Sequence, residues 1–400
     1  MNFLLLIILI FLAILVLQFP AKIFVLSFSI NLYTFPLYRT HQSLANLTIA
    51  TQILCLLAIT VHFIQKKSNV SGNYRFFIFY LCLISALGFA NVYPKVTILN
   101  ALGLRNFLIA PLLGYFAFTG IRNLRFFFNV VIISLTASSV YSVYQVTVGV
   151  NPYVQAGYIY GAHLKELTGG SHRFRAPGLL SSNFELGLLS AVIFVISLLT
   201  LTQLSNVVTK RMSIVGMSAG IVGSITSASR TSILFALLGM LIIAIRVSRQ
   251  SSYSSASSKF AVTFLSFSSV IVAALSANSV LITTATTSSR FVVWRDLLHT
   301  GGLFFGNGIG SVGTTTTSKL AITPVFVDNY FLSVLLQFGI LGLVLFLICL
   351  FQLLKCNEKV RALIAPLLVA CIFLEVWEYW IPMTCLLIVV GYKEEISNDF

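Results

Sequence analysis

Four arginines stand in two polar segments of a chain that is otherwise poor in charge: Arg173 and Arg175 in one, Arg290 and Arg295 in the other. Charged residues make up 9% of the sequence and hydrophobic ones 58%, so a guanidinium set apart from the basic loops has a task of its own. Its planar fork matches the oxygens of a phosphate or carboxylate, and the chemistry these residues suit is the gripping of an oxyanion. The first segment also holds Tyr153, Tyr158, Tyr160, His163, His172, Phe174 and Gly178. Aromatic faces stack on pyranose rings while guanidinium groups bind phosphate, although the same tyrosines also suit the aromatic belt of a membrane surface.

The second segment carries Ser-Ser-Arg-Phe-Val-Val-Trp-Arg-Asp (288–296), a glycine-rich Phe-Gly-Asn-Gly-Ile-Gly (305–310), a threonine-rich stretch, and Asp328-Asn329 at the entry to an apolar run. Arg290, Trp294 and His299 are spaced as on an amphipathic helix lying along the membrane, which would offer its arginine to lipid headgroups or to a lipid-linked phosphate. Gly306, Gly308 and Gly310 invite a phosphate-loop reading, but no strand precedes them, and a turn re-entering the bilayer accounts for them as well.

The acids are few and late, none preceding Glu166. Ion-coupled transporters generally need carboxylates within the bundle, often in both halves of a repeat, so coupled transport loses weight. Glu375 and Glu378 share one helical face at i and i+3, beside Trp377, Tyr379 and Trp380, where they would pair with arginines or hold acceptor hydroxyls; the alternative is an interfacial turn whose carboxylates simply reach water. Arg105 falls inside an apolar run at a cost of about 2.5–3.5 kcal/mol, and would touch a lipid diphosphate or pair with a late carboxylate.

The elements that must position these residues are membrane helices. A mean hydropathy of +0.97, 34 Phe and repeated apolar runs of about 20 residues describe an all-α polytopic integral membrane protein, one domain across residues 1–400. No alternating strand pattern of the β-barrel kind is present. Basic residues punctuate short loops (Lys66, Lys67, Arg75; Arg122, Arg125; Lys210, Arg211; Arg246, Arg249, Lys259; Lys355, Lys359, Arg361), which fall on one side if the intervening runs are spans, and that side is cytoplasmic. The net charge of +15 therefore reflects topology before any nucleic-acid partner.

Spans are expected near 44–64, 76–93, 98–120, 126–148, 183–203, 212–227, 231–246, 260–280, 329–352, 362–377 and 380–391. The run 1–19, which lacks a basic n-region, reads as a retained span, and 20–43 as a second span or a re-entrant segment, giving about 12–13 transmembrane helices. Two long extracytoplasmic loops result, 149–183 and 281–328, the second carrying the interfacial helix. The six cysteines form no CxxC or Cys/His cluster, so neither disulfide, metal nor other cofactor is expected.

Arg175-Ala-Pro-Gly178 followed by Ser182-Asn183 resembles the RAxG…PN pattern of O-antigen polymerases and ligases, and Ser227-Ala-Ser-Arg230 resembles their SR motif between two spans. Arg290-x3-Trp294 with Phe305-Gly-Asn-Gly-Ile-Gly310 is similar to their R…W…GxG block. Asp328-Asn329-Tyr330, continuing to Gly339-Ile-Leu-Gly342, is similar to the (H/D)N segment that leads into a late span. These matches keep the family's order over 175–342, whereas the N-terminal half matches only as generic membrane helices.

The resemblance implies a GT-C-like, metal-independent glycosyltransferase of the bacterial inner (plasma) membrane, acting at its outer face on polyprenyl-diphosphate-linked oligosaccharides. Membrane lipids would surround it, and a chain-length regulator and a flippase would be its working partners. On this view Arg175 and Arg290 stabilise the departing diphosphate and Asp328 is the general base. Arg173, Arg230, Arg295, Trp294, Asn329, Glu375, Glu378 and Arg105 would bind substrate. Asp328 would equally suit a helix N-cap, and Arg230 a structural anchor. The ligases usually carry His at the matching position, so a carboxylate leans toward a polymerase. A ligase is the alternative, and a lipid-linked sugar or polysaccharide exporter the reading from another class.

Overall fold

The structure, a computed structural model, describes residues 15–33, 43–66, 72–95, 97–120, 124–156, 165–166, 174–202, 207–249, 292–298, 303–312, 327, 329–356, 361–374 and 376–391. Helices dominate, because a chain in lipid must satisfy its backbone polar groups within each segment. In order they are α1 (Pro20–Asn31), α2 (Ser43–Lys66), α3 (Gly72–Ala90), α4 (Ile98–Gly120), α5 (Leu124–Val148), α6 (Asn151–Gln155), α7 (Asn183–Leu201), α8 (Lys210–Thr226), α9 (Arg230–Arg249), α10 (Tyr330–Cys356), α11 (Arg361–Phe373) and α12 (Trp380–Gly391), with a further helical turn pair at 292–298. Among the described residues, α5, α7, α9 and α10 are long and apolar enough to cross a membrane. Even the 19-residue α7 is about 28 Å long. The chain is an α-helical membrane protein.

Helix bounds follow the expected spans closely, α4 and α12 coinciding with 98–120 and 380–391. The span expected at 260–280 lies outside the described residues. Between α5 and α7 stand α6 and a hairpin of two short strands, β1 (Lys165–Glu166) and β2 (Phe174–Arg175), in which Lys165 faces Arg175 in antiparallel register. Residues 20–31, whose form the sequence left open, make a helix antiparallel to α2. Near one end of the pair Gln65 Nε2 donates to the Leu17 carbonyl (2.9 Å), and near the other Asn31 Nδ2 donates to Thr51 Oγ1 (2.9 Å).

The late acids mark a break between helices, which the separate spans at 362–377 and 380–391 anticipate. The run around Glu378 is not part of a continuous helix: α11 stops at Phe373, Val376–Glu378 form a single 3₁₀ turn, and α12 starts at Trp380. Pro382 explains the restart, since proline lacks an N–H and its ring crowds the carbonyl four residues back. Such a residue is favoured in the first turn of a helix, where Pro382 stands, although Pro111 and Pro366 lie inside α4 and α11.

Small residues line the most extensive helix contact among the described residues, between α7 and α8. Lipid supplies little hydrophobic drive for helix pairing, so backbones gain by approaching until dispersion contacts are dense. Gly216 and Gly220 present that smooth face of α8. At Gly220 a Cβ would stand 2.7 Å from the Ser190 carbonyl oxygen, and at Gly216 2.6 Å from Ser197 Oγ. α8 also packs on α5, α9 on α7 and α11, α3 on α10, and α4 on α12.

Candidate functional site

Arg175 ends strand β2 and opens an arm, 175–182, that is fastened to two helices. The Ala176 N–H donates to the Thr226 carbonyl at the end of α8 (3.1 Å). Two residues on, Gly178 adopts φ +62, and Gln145 of α5 grips it twice: Gly178 N–H donates to Gln145 Oε1 (2.8 Å) and Gln145 Nε2 donates to the Gly178 carbonyl (3.1 Å). Leu179 N–H donates to Ser138 Oγ, also on α5 (2.9 Å). The arm then enters α7, where Ser182 Oγ accepts from Glu185 N–H (3.2 Å) and the Glu185 carboxylate reaches back to Ser181, accepting from its hydroxyl and its N–H. Ser-x-x-Glu at a helix start is a capping box, here displaced by one residue on its return bond.

The same arm meets the turn that carries Arg230. Asn183 Nδ2 donates to the Ser227 carbonyl (3.4 Å), and Ser142 Oγ lies 2.7 Å from Thr226 Oγ1. Ser227 caps the C-terminus of α8, Ala228 follows at φ +48, and Arg230 is the first residue of α9. Two of the segments matched in sequence, 175–183 and 227–230, are thereby bound into one assembly, with Arg175 and Arg230 both half-buried. A cation at the positive start of a helix is unfavourable by about 0.3–1 kcal/mol, so an anion nearby is welcomed by side chain and helix end together.

The other two segments form a second assembly. α10 is broken at Gly339 (φ 72, ψ −174), and the glycine-rich loop fills the break. Asn307 N–H donates to the Leu336 carbonyl (2.7 Å), Gly308 N–H to the Gln337 carbonyl (2.9 Å), and Ile340 N–H to the Leu303 carbonyl (3.0 Å). Ile309 N–H goes to the Gly88 carbonyl (3.1 Å) and Gly310 N–H to Gln337 Oε1 (2.7 Å). The amides at 307–310 that would cradle a phosphate are thus all engaged by protein oxygens, which removes the phosphate-loop reading and makes the loop a wedge for the helix.

Asn329 caps α10: its Oδ1 accepts from Leu332 N–H (3.0 Å) and its carbonyl from Ser333 N–H (2.9 Å). The cap at this helix start, considered for Asp328, is therefore supplied by Asn329 through its Oδ1. Trp294 is half-buried and packs with Leu297 and Leu303 against Val312, Val327, Leu332 and Leu336. The inner face of helix 292–298 is accordingly Trp294 and Leu297, with Val292, Val293 and Leu298 exposed. Arg295 is not drawn to either assembly: it is 68% exposed and pairs with its neighbour Asp296 at 3.1 Å.

The 3₁₀ turn joins the two assemblies. The Trp377 ring is fully buried, stacks on Tyr330 at the start of α10 (6.0 Å between centroids), and donates Nε1–H to the Phe107 carbonyl of α4 (3.0 Å). Tyr379 meets Phe184 in the first turn of α7 (6.4 Å). The starts of α7, α9, α10 and α12 are thereby gathered at one end of the bundle, with half-buried Glu378 on the joining turn. On α4, Arg105 donates through Nε (3.2 Å) and Nη2 (2.9 Å) to Asn106 Oδ1. Arg173, Arg290, Asp328 and Glu375 lie outside the described residues.

Gln145, Ser138, Thr226 and Glu185 were missed by sequence reasoning. Glu185 had a signal, the Ser-x-x-Glu box at 182–185; Gln145 is one amide among Val, Tyr and Thr, and Ser138 and Thr226 sit in Ser/Thr-rich stretches, with nothing to say which face each serves. The arrangement is chemically suited to an anion, offering several helix starts and two guanidinium groups at one end of a membrane bundle. The chain matches no known protein-family profile, and no curated protein matches its sequence.

Proposed function

We propose that this chain is a membrane glycosyltransferase, a polysaccharide polymerase that transfers a growing glycan from a polyprenyl-diphosphate donor to a lipid-linked repeat unit. The observation that carries the proposal is the hydrogen-bonded union of the Arg175 arm with the Arg230 turn at the gathered helix starts. An acceptor hydroxyl attacks the anomeric carbon of the donor; its proton passes to the Asp328 carboxylate, and the carbon–oxygen bond to the diphosphate breaks with the electron pair leaving on the diphosphate. Arg175 and Arg290, with Arg230 in support, stabilise the charge that accumulates there, and a preorganised donor of this kind is worth about 10²–10³ in rate. An O-antigen ligase would use the same donor chemistry on a different acceptor, and the carboxylate at 328 favours the polymerase.

Arg175→Ala, Arg290→Ala and Asp328→Asn test the assignment in cells through the length of the surface polymer and the appearance of single repeat units outside. A polymerase loses chain extension while single units still appear. An exporter loses that appearance altogether, and undiminished polymer length in all three variants refutes the catalytic roles.

A further inference from the structure

Gln145 lies in the last turns of α5, fully buried, in a run that is otherwise apolar or small. A primary amide in such a place is costly unless both its ends are paired, and here both are paired with one residue, the donor and acceptor of Gly178. The two bonds reach the two peptide units that flank the Gly178 Cα, so they fix the conformation of that residue as well as its distance from α5. Gly178 lies so close to α5 that no side chain fits there: a Cβ would collide with Ser138 Oγ and stand 2.8 Å from the Ser138 carbonyl oxygen. Back along the chain from Gly178 to Arg175 there is little freedom either: Pro177 has its φ locked by the ring, and Ala176 is tied to Thr226.

We propose that Gln145 is a positioning residue for Arg175, fixing the arm from α5 through the Gly178 backbone so that the guanidinium needs no reorganisation when its anion arrives. The functional reading enters only in what Arg175 grips; how Arg175 is held stands on the hydrogen bonds alone. Gln145→Met keeps the length of the side chain and removes both bonds, and Ser138→Ala removes only the bond to Leu179.

The test uses the full chain in lipid nanodiscs, with a lipid-linked single repeat unit purified from cells lacking the protein. Hydrogen exchange over 176–182 in Gln145→Met should be faster by about 10- to 30-fold, as expected for two lost hydrogen bonds, and Ser138→Ala should show a smaller rise confined to Leu179. The kcat for chain extension should fall by up to about 100-fold, the scale of a 1 Å misplacement, with KM for the acceptor little changed. Arg175→Ala combined with Gln145→Met should be no slower than Arg175→Ala alone, since one acts through the other. Unchanged exchange in Gln145→Met overturns the proposal, as does a double variant whose losses multiply. Full chain extension in Arg175→Ala would instead refute the diphosphate role, while the exchange data still decide whether Gln145 holds the arm.

Discussion

Gly339→Ala is the substitution on which the account of the second assembly can fail most clearly. With φ 72 and ψ −174, Gly339 sits in a backbone region open in practice only to glycine, and alanine held there stores about 1–3 kcal/mol. A Cβ would also press on the neighbouring loop, 2.7 Å from the carbonyl carbons of Phe304 and Phe305. Relieving that pressure means withdrawing the wedge and losing the bonds from Asn307 to Leu336, Gly308 to Gln337 and Ile340 to Leu303. At about 1 kcal/mol net apiece these come to about 3 kcal/mol, and the strain that stays at position 339 adds up to about 3 kcal/mol, so the destabilisation is about 3–6 kcal/mol. Unfolding of the full chain in mixed detergent–SDS micelles, followed by far-ultraviolet circular dichroism, reads this directly. Leu341→Ala is the control, since Leu341 is 54% exposed on the outer face of α10 and should cost about 1 kcal/mol or less. Gly339→Ala within about 1 kcal/mol of the parent would show that the loop does not close the break.

Elements were legible where one physical rule dominates. Lipid demands apolar length and internal hydrogen bonds, so the bounds of α2, α4, α5 and α12 could be read within a few residues from hydropathy and the spacing of basic loops. The interruption at 376–378 was legible as the gap between the spans at 362–377 and 380–391, where Glu375 and Glu378 break the apolar run, whereas its 3₁₀ form was not. Polar pairing was harder still. Gln145 and Gly178 are 33 residues apart, and nothing in either neighbourhood names the other. The glycines at 306, 308 and 310 looked equally suited to a phosphate or a tight turn; what decides is where their N–H groups point, and that is fixed by a break in α10 that the sequence hides inside an apolar run. Arg175 and Arg230 were picked out by type, yet their association follows from the union of the arm with the α8–α9 turn, which spacing alone cannot encode.

Substitutions at two further positions separate roles that the sequence assigned together. Arg295→Ala should lower chain extension far less than Arg175→Ala and leave unfolding within about 1 kcal/mol of the parent, because it removes only an exposed pair with Asp296; a loss matching that of Arg175→Ala would restore Arg295 to the site. Asn329 carries the finer distinction. Its Oδ1 accepts from Leu332 N–H, so Asn329→Ala should destabilise the chain by about 1 kcal/mol through loss of the α10 cap. Asn329→Asp keeps an acceptor oxygen in the same place and adds a negative charge at a helix start, where it is welcome, so stability should return. What the aspartate does not keep is the amide donor. Recovery of stability and chain extension together marks Asn329 as a cap alone, whereas recovery of stability without chain extension means that the Nδ2 donor, or the added charge beside a diphosphate, matters to the reaction. Failure of the aspartate to recover stability would refute the cap itself.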